Sequence, residues 1–197
     1  MTRVKPERVT AVGLGKTVRT LSRRLGRGGG TTLPGYLAQK LDPALVSDLM
    51  ADIPCGSIVV SGTNGKTTTC RIIAAALRAG GFAPIHNHEG SNLDQGVATT
   101  LLAHTDPLGR LKVSDRSIGL IELDEGVFPQ LLGQIRPRVV LLTNIFRDQM
   151  DRYIELDYLV DLWRLGLAHL PSETVLVLNA DDPLMASIAS DVPNPAI

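Results

Sequence analysis

Lys66 and Thr67, preceded by Gly62-Thr63-Asn64-Gly65 and followed by Thr68, form the one spacing in this sequence that reads directly as chemistry. Glycines at 62 and 65 let the backbone approach an anion closely, and the N–H groups that open a following helix aim the positive end of its macrodipole at that anion. Lys66 adds a point charge suited to β- and γ-phosphates. Thr67 offers a hydroxyl of the kind that P-loop proteins give to Mg²⁺, the ion that bridges phosphates and takes up charge during transfer. The competing reading is a glycine-rich turn that happens to carry a lysine. Against it stand an apolar run ending at Val59-Val60, a helix-compatible run after the loop, and the adjacent Lys-Thr pair. The usual Walker spacing places a further glycine where Val60 stands, so the loop is a shortened variant.

Other candidates fall where strands should end. Ser117 to Glu125 reads as a buried strand finishing in Glu122, Asp124 and Glu125. In open α/β sheets the carboxyl ends of strands face the ligand crevice, so acids there are where Mg²⁺ would be met. For Asp124 and Glu125, capping of a helix over 127–135 is an equal alternative. Arg138 to Thr143 is another apolar strand running into Asn144, and a strand over 174–178 runs into Asn179-Ala180-Asp181-Asp182-Pro183, which could also be a plain Asx turn. His86, His88 and Glu89 could ligate a metal. Their spacing fits no closed ligand set, and the Gly90-Ser91-Asn92 turn is expected to cap a helix starting near Asp94.

The elements that must carry these residues alternate. A helix over 67–79 stops at Gly80-Gly81, residues 104–116 read as an exposed excursion, and a helix is expected over 156–170. The order predicts an α/β fold: a P-loop, mostly parallel sheet with helices on both faces. Residues 1–54 are expected to form a helical lead-in with a Gly-rich loop at 26–30, its second helix over 37–53 broken at Pro43, ahead of a nucleotide-binding domain from 55 to 197. Among the arginines of the first helix a solvated face outweighs a membrane-surface or phosphate-contact role.

Composition bounds the rest. The chain has 197 residues, 44% hydrophobic, with 20 basic and 20 acidic side chains, enough for a sizeable core and without overall attraction to nucleic acid. Aromatic residues are 4%, little for base stacking. With no signal-peptide core or membrane-length apolar run in the sequence, a cytoplasmic protein is expected. Two cysteines, Cys55 and Cys70, are too few for a disulfide framework or a closed zinc site and read as buried thiols.

The short loop resembles the ATP loop of the Mur ligase family, which joins amino acids to peptidoglycan precursors and includes the folylpolyglutamate and cyanophycin synthetases as relatives. Three further stretches are similar to the branch of that family that amidates lipid II: Gly26-Arg27-Gly28-Gly29-Gly30-Thr31 followed by Leu33-Pro34-Gly35; Asn144-Ile145-Phe146-Arg147-Asp148-Gln149-Met150-Asp151-Arg152-Tyr153; and Asn179-Ala180-Asp181-Asp182-Pro183. The Gly-Glu that usually follows the second stretch is Ile154-Glu155 here.

The resemblance implies Mg²⁺-ATP as the cofactor, with Lys66 and Glu122 as the catalytic pair and Thr67, Glu122 and Gln149 as metal ligands. Gln149 stands where most of the family has histidine, and its amide carbonyl is an oxygen donor acceptable to Mg²⁺. Gly62 to Thr68, Asn92, Asn144 and Asn179 would contact nucleotide, Asn179 beside the base. By the same resemblance the full protein activates the α-carboxylate of D-glutamate in the lipid II stem peptide for amidation, using ammonia from a separate GatD-like glutaminase. A zinc ribbon and a C-terminal domain follow in that branch but are not in this sequence. Zinc is therefore expected only downstream, and the 197-residue chain is expected to bind ATP without completing amidation. The competing readings are another amide ligase of this fold, which would lack the Gly-Arg-Gly-Gly-Gly-Thr stretch and Gln149, and a nucleotide-binding remnant that scaffolds a partner.

Overall fold

The computed structural model describes residues 4–24, 32–87, 91–146 and 153–197. The Gly-rich stretch at 26–31, His88 to Gly90, and Arg147 to Arg152 with Gln149 lie outside the described residues. The elements run α1 (Pro6–Arg24), α2 (Leu33–Leu41), α3 (Leu45–Ala51), β1 (Ser57–Ser61), α4 (Lys66–Ala79), β2 (Ala83–His86), α5 (Asp94–Ala103), β3 (Ser117–Glu122), α6 (Phe128–Ile135), β4 (Val139–Leu142), α7 (Tyr153–Ala168), β5 (Val175–Leu178) and α8 (Pro183–Asp191). The break expected at Pro43 separates α2 from α3. It is held by Asp42, whose Oδ1 accepts from the Ala44 amide at 3.2 Å.

Among the described residues the five strands of the sheet are all parallel, in the order β2-β3-β1-β4-β5. Consecutive β1 side chains leave on opposite faces, which explains the near-continuous apolar strands. Val60 joins Leu120, Cys70 and Ala74 in a small cluster under α4. Val59 and Ile121 face the larger core, built with Leu45, Leu49, Leu101, Phe128, Leu131 and Trp163. Helices α1 to α3 contribute Ala11, Val12, Ala38, Leu45, Val46 and Leu49 to that larger core, so the residues ahead of the sheet pack into it.

One expectation is refined and one changes. The 104–116 segment is largely exposed, as its polar residues lead one to expect, but it is pinned to the fold at several points. Thr105 is buried and bridges Leu111 in antiparallel fashion, its carbonyl accepts from the Lys16 ammonium, and Leu111 and Val113 pack on the core. Its polar residues satisfy one another locally, Asp106 Oδ1 accepting from the Leu108 and Arg110 amides, so polarity here marks a compact turn folded against α1. Of the two thiols only Cys70 is buried; Cys55 is half-exposed at the lead into β1, its Sγ 3.2 Å from the Asp115 carbonyl.

Trp163, the only tryptophan, is fully buried against Phe128 with ring centroids 4.8 Å apart, and its indole N–H donates to the Glu125 carbonyl at 3.0 Å. It therefore ties α7 to the segment after β3. Trp163→Ala is expected to cost about 3–5 kcal/mol. Trp163→Phe, which keeps the ring contact but leaves the carbonyl without its donor, should cost about 1–3 kcal/mol. Urea unfolding followed by circular dichroism reads both.

Candidate functional site

The loop between β1 and α4 is shaped by its glycines and braced from β4. Gly62 has φ 136°, and a Cβ there would lie 2.2 Å from the Thr143 hydroxyl and 2.8 Å from the Asn144 carbonyl. Gly65 has φ 84° with nothing within 4 Å of such a Cβ, so its requirement is conformational, and it leaves open space where α4 begins. The chain after β4 holds the loop in place. The Thr63 amide donates to the Asn144 carbonyl at 2.9 Å, and the Phe146 amide donates to the Thr63 hydroxyl at 3.0 Å. Asn144 grips Asn64 twice, its Oδ1 accepting from the Asn64 amide at 2.9 Å and its Nδ2 donating to the Asn64 carbonyl at 3.1 Å. The Thr143 hydroxyl adds a second bond to that carbonyl at 2.8 Å.

Charged groups converge on the cradle so formed. The Lys66 ammonium donates to the Gly62 carbonyl, to the Thr63 carbonyl at 3.0 Å, and to Glu125 Oε2 at 3.2 Å. The lysine side chain is 12% exposed and the glutamate 25%, so the pair is partly buried rather than on an open face. Thr67 donates its hydroxyl to Glu122 Oε1 at 2.9 Å. Glu122 is only 5% exposed, at the carboxyl end of β3 in register with Val60. Asn87 clamps its backbone, Oδ1 accepting from the Glu122 amide and Nδ2 donating to the Glu122 carbonyl, both at 2.8 Å, with a further bond from Nδ2 to the Ser91 carbonyl at 2.9 Å. An open cleft of about 340 Å³ results, lined by Thr63, Asn64, Gly65, Lys66, Thr67, Thr68, Asn92 and Glu122.

The structure thus brings most of the expected residues to one place. Asn144 stands behind the loop as its brace, outside the cleft lining. Asn179 lies two strands from the loop, at the end of β5, and its Oδ1 closes an Asx turn on the Asp181 amide at 3.1 Å. Gln149 is outside the described residues. Among the described residues the N-cap of α5 is Leu93, with no side-chain cap, and Asn92 accepts the Asp124 amide on its carbonyl at 3.0 Å. Asp124 accepts the Gly126 amide at 3.0 Å, a local turn at the start of α6, whereas Glu125 is the partner of Lys66.

Two residues of the site carry no signal in spacing, and a third only an ambiguous one. Asn87 looks like part of a polar turn. Glu125 shares its position with a possible helix cap. Asp182 reads as turn chemistry but is buried, with its Oδ2 accepting the Ile145 amide at 3.0 Å and its Oδ1 accepting the Leu184 amide at 2.9 Å, so that it anchors the strand end that carries Asn144. The role of each appears only in a contact with a residue distant in sequence. Behind Glu122, Cys70 has its thiol pushed up to about 12, by burial first and by the neighbouring Glu122 carboxylate second.

A glycine-braced loop opening a helix at the carboxyl edge of a parallel sheet, with lysine, hydroxyl and buried carboxylate converging on it, defines the P-loop class of anion-binding α/β domains. The Mur ligase middle domain matches residues 60–197, and the chain belongs to the Mur ligase family. It is 38% identical over 186 residues to the lipid II isoglutaminyl synthase (glutamine-hydrolyzing) subunit MurT of Staphylococcus aureus, covering 92% of this chain and 40% of that protein. It is 34% identical over 188 residues to the MurT of Streptococcus pneumoniae, covering 94% and 39%. The chain thus spans about two fifths of the length of these relatives. Among solved structures, MurF of Acinetobacter baumannii superposes with TM-score 0.63 at 18% identity, over 82% of this chain and 34% of that one. MurF of Thermotoga maritima in complex with ADP gives 0.62 at 17%, over 79% and 35%. Both share the fold. No helix among the described residues is long and apolar enough to cross a membrane.

Asn87→Ala removes the donor and acceptor that a buried Glu122 peptide depends on, and is expected to cost about 2–4 kcal/mol. The measurement is a urea midpoint at unchanged m-value; a loss under about 0.5 kcal/mol would show that water replaces the clamp.

Proposed function

We propose that this chain is the ATP-binding portion of an ATP-dependent amide ligase acting in peptidoglycan synthesis, of the kind that activates the D-glutamate α-carboxylate of the lipid II stem peptide for amidation. The single observation that carries the nucleotide reading is the loop cradle, where Gly65 leaves open space in front of the first-turn amides of α4 and Lys66 and Thr67 flank it. The acceptor and the amidation reading rest on the MurT relatives, which match nearly the whole chain, beyond the 70% covered by a UDP-N-acetylmuramate–L-alanine ligase. A MurT is by its name a subunit of a glutamine-hydrolysing synthase, so a GatD-like glutaminase is the expected partner of the full protein and lipid II its substrate.

The residues fit Mg²⁺-ATP. The helix-opening amides and Lys66 would take the phosphate oxygens. Glu125 now holds the Lys66 ammonium at the loop mouth; a phosphate competes for the same ammonium, so Glu125 keeps it in place beforehand and releases it to the stronger anion. Thr67 and Glu122 offer a hydroxyl and a carboxylate oxygen 2.9 Å apart, the hard donors Mg²⁺ prefers, and Gln149 would add an amide oxygen. Bound there, Mg²⁺ supplies charge neutralisation for the phosphoryl group being transferred. Asn92, which also lines the cleft, would border the nucleotide. By the family resemblance Asn179 would lie beside the base. No side chain here is required as nucleophile, because the acceptor carboxylate provides it. Zinc in a downstream ribbon would be structural.

Calorimetry tests this reading. Lys66→Ala is expected to weaken Mg²⁺-ATP binding roughly ten- to a hundredfold, the weight of about 1.5–3 kcal/mol for hydrogen bonds to a charged group. Glu122→Gln should flatten the Mg²⁺ dependence of ATP binding with the circular dichroism spectrum preserved. Unchanged affinity in the lysine variant would remove the phosphate role of the loop, and an unchanged Mg²⁺ titration in the glutamine variant would place the ion elsewhere.

A further inference from the structure

Glu122 faces the nucleotide cleft, but it also meets two groups that the reading above does not use. Cys70 lies one turn into α4, fully buried under the sheet, and His86 closes β2, the strand next to β3. The Cys70 Sγ, an imidazole nitrogen of His86 and a carboxylate oxygen of Glu122 all lie within 4.8 Å of one another. A tetrahedral zinc with bonds of about 2.0–2.3 Å holds its ligand atoms roughly 3.3–3.8 Å apart, so modest side-chain rotation would close the set around one ion. Thiolate, imidazole and carboxylate together are a donor set that soft or borderline ions favour and Mg²⁺ does not. Three protein ligands with the cleft on the Glu122 side match the pattern of zinc sites that keep a fourth position open.

We propose that Cys70, His86 and Glu122 form a binding site for a thiophilic divalent cation, Zn²⁺ above all, and that its occupancy withdraws Glu122 from Mg²⁺. The binding stands on the geometry of the three residues; the competition rests on the nucleotide reading. On binding, the Cys70 S–H bond is replaced by an S–metal bond and the proton passes to solvent, with no change of oxidation state. The sequence does not suggest the site, because Cys70 and His86 are drawn together by the return of the chain from α4 into β2 and Glu122 reaches them only through the β2–β3 register.

The test uses the tag-free, metal-stripped chain and Co²⁺ as a spectroscopic stand-in for Zn²⁺. One equivalent is expected to give a thiolate-to-cobalt charge-transfer band with tetrahedral d–d absorption, bleached by Zn²⁺ and retained in Cys55→Ser. Cys70→Ser, with its fold verified by circular dichroism, should lose the charge-transfer band, and His86→Gln should weaken binding about tenfold or more. Absence of the band in the parent chain, or its persistence in Cys70→Ser, overturns the site. Separately, Zn²⁺ should weaken Mg²⁺-ATP binding in the parent and not in Cys70→Ser. A cobalt band present while Zn²⁺ leaves ATP binding unchanged overturns the competition alone. Loss of ATP binding in every sample would count against the nucleotide reading and leave the spectroscopic result untouched.

Discussion

The register of β1 is the constraint on which the site depends. Val60 pairs with Glu122 on one side and Ser61 with Leu142 on the other, so three strand ends stop at one level and their following segments meet. A slip of one residue would turn Glu122 to the opposite face and away from Thr67. The register is fixed by burial on both faces: Val60 and Leu120 pack under α4, while Val59 and Ile121 pack into the larger core, leaving no apolar strand position free to exchange faces. Backbone geometry and hydrophobic packing therefore place the charged groups of the cleft.

The cradle has a division of labour that follows from this. Gly62 lets the chain pass against Thr143 and Asn144, which in return satisfy the loop's own amides and carbonyls. Satisfying the front of the loop from behind leaves the amides at the start of α4 to face the cleft, as a helix without a side-chain cap must. The Lys66–Glu125 pair and the Thr67–Glu122 hydrogen bond then keep cation and hydroxyl in position. Asp182 and Asn87 act one layer further out, each holding a strand end by buried bonds to backbone amides.

Much of the fold was legible from periodicity because parallel strands buried on both faces read as apolar runs, and α4 stops at the glycines that end its pattern. The loop from Gly62 to Thr68 was equally legible, since its chemistry is local: close approach, positive φ and a helix start are all written within consecutive residues. What spacing could not convey is contact across strands. Asn144 braces the loop from behind; Glu125, which reads equally as an acid at the strand edge or as a cap, holds Lys66; Cys70, which reads as a buried thiol, lies beside His86 and Glu122. The pinning of the 104–116 segment was hidden for a related reason, because a polar turn whose groups bond one another looks the same in sequence as one solvated by water.

The central claim is that the amides opening α4 receive the phosphates. A two-dimensional ¹⁵N–¹H correlation spectrum of the chain titrated with Mg²⁺-ATP tests it residue by residue. The account predicts that the largest saturable shifts fall on the amides of Gly65, Lys66, Thr67 and Thr68, with Asn64 and Glu122 moving at the same midpoint. Shifts that leave those amides in place while others saturate, or that scale linearly without a midpoint, would contradict it.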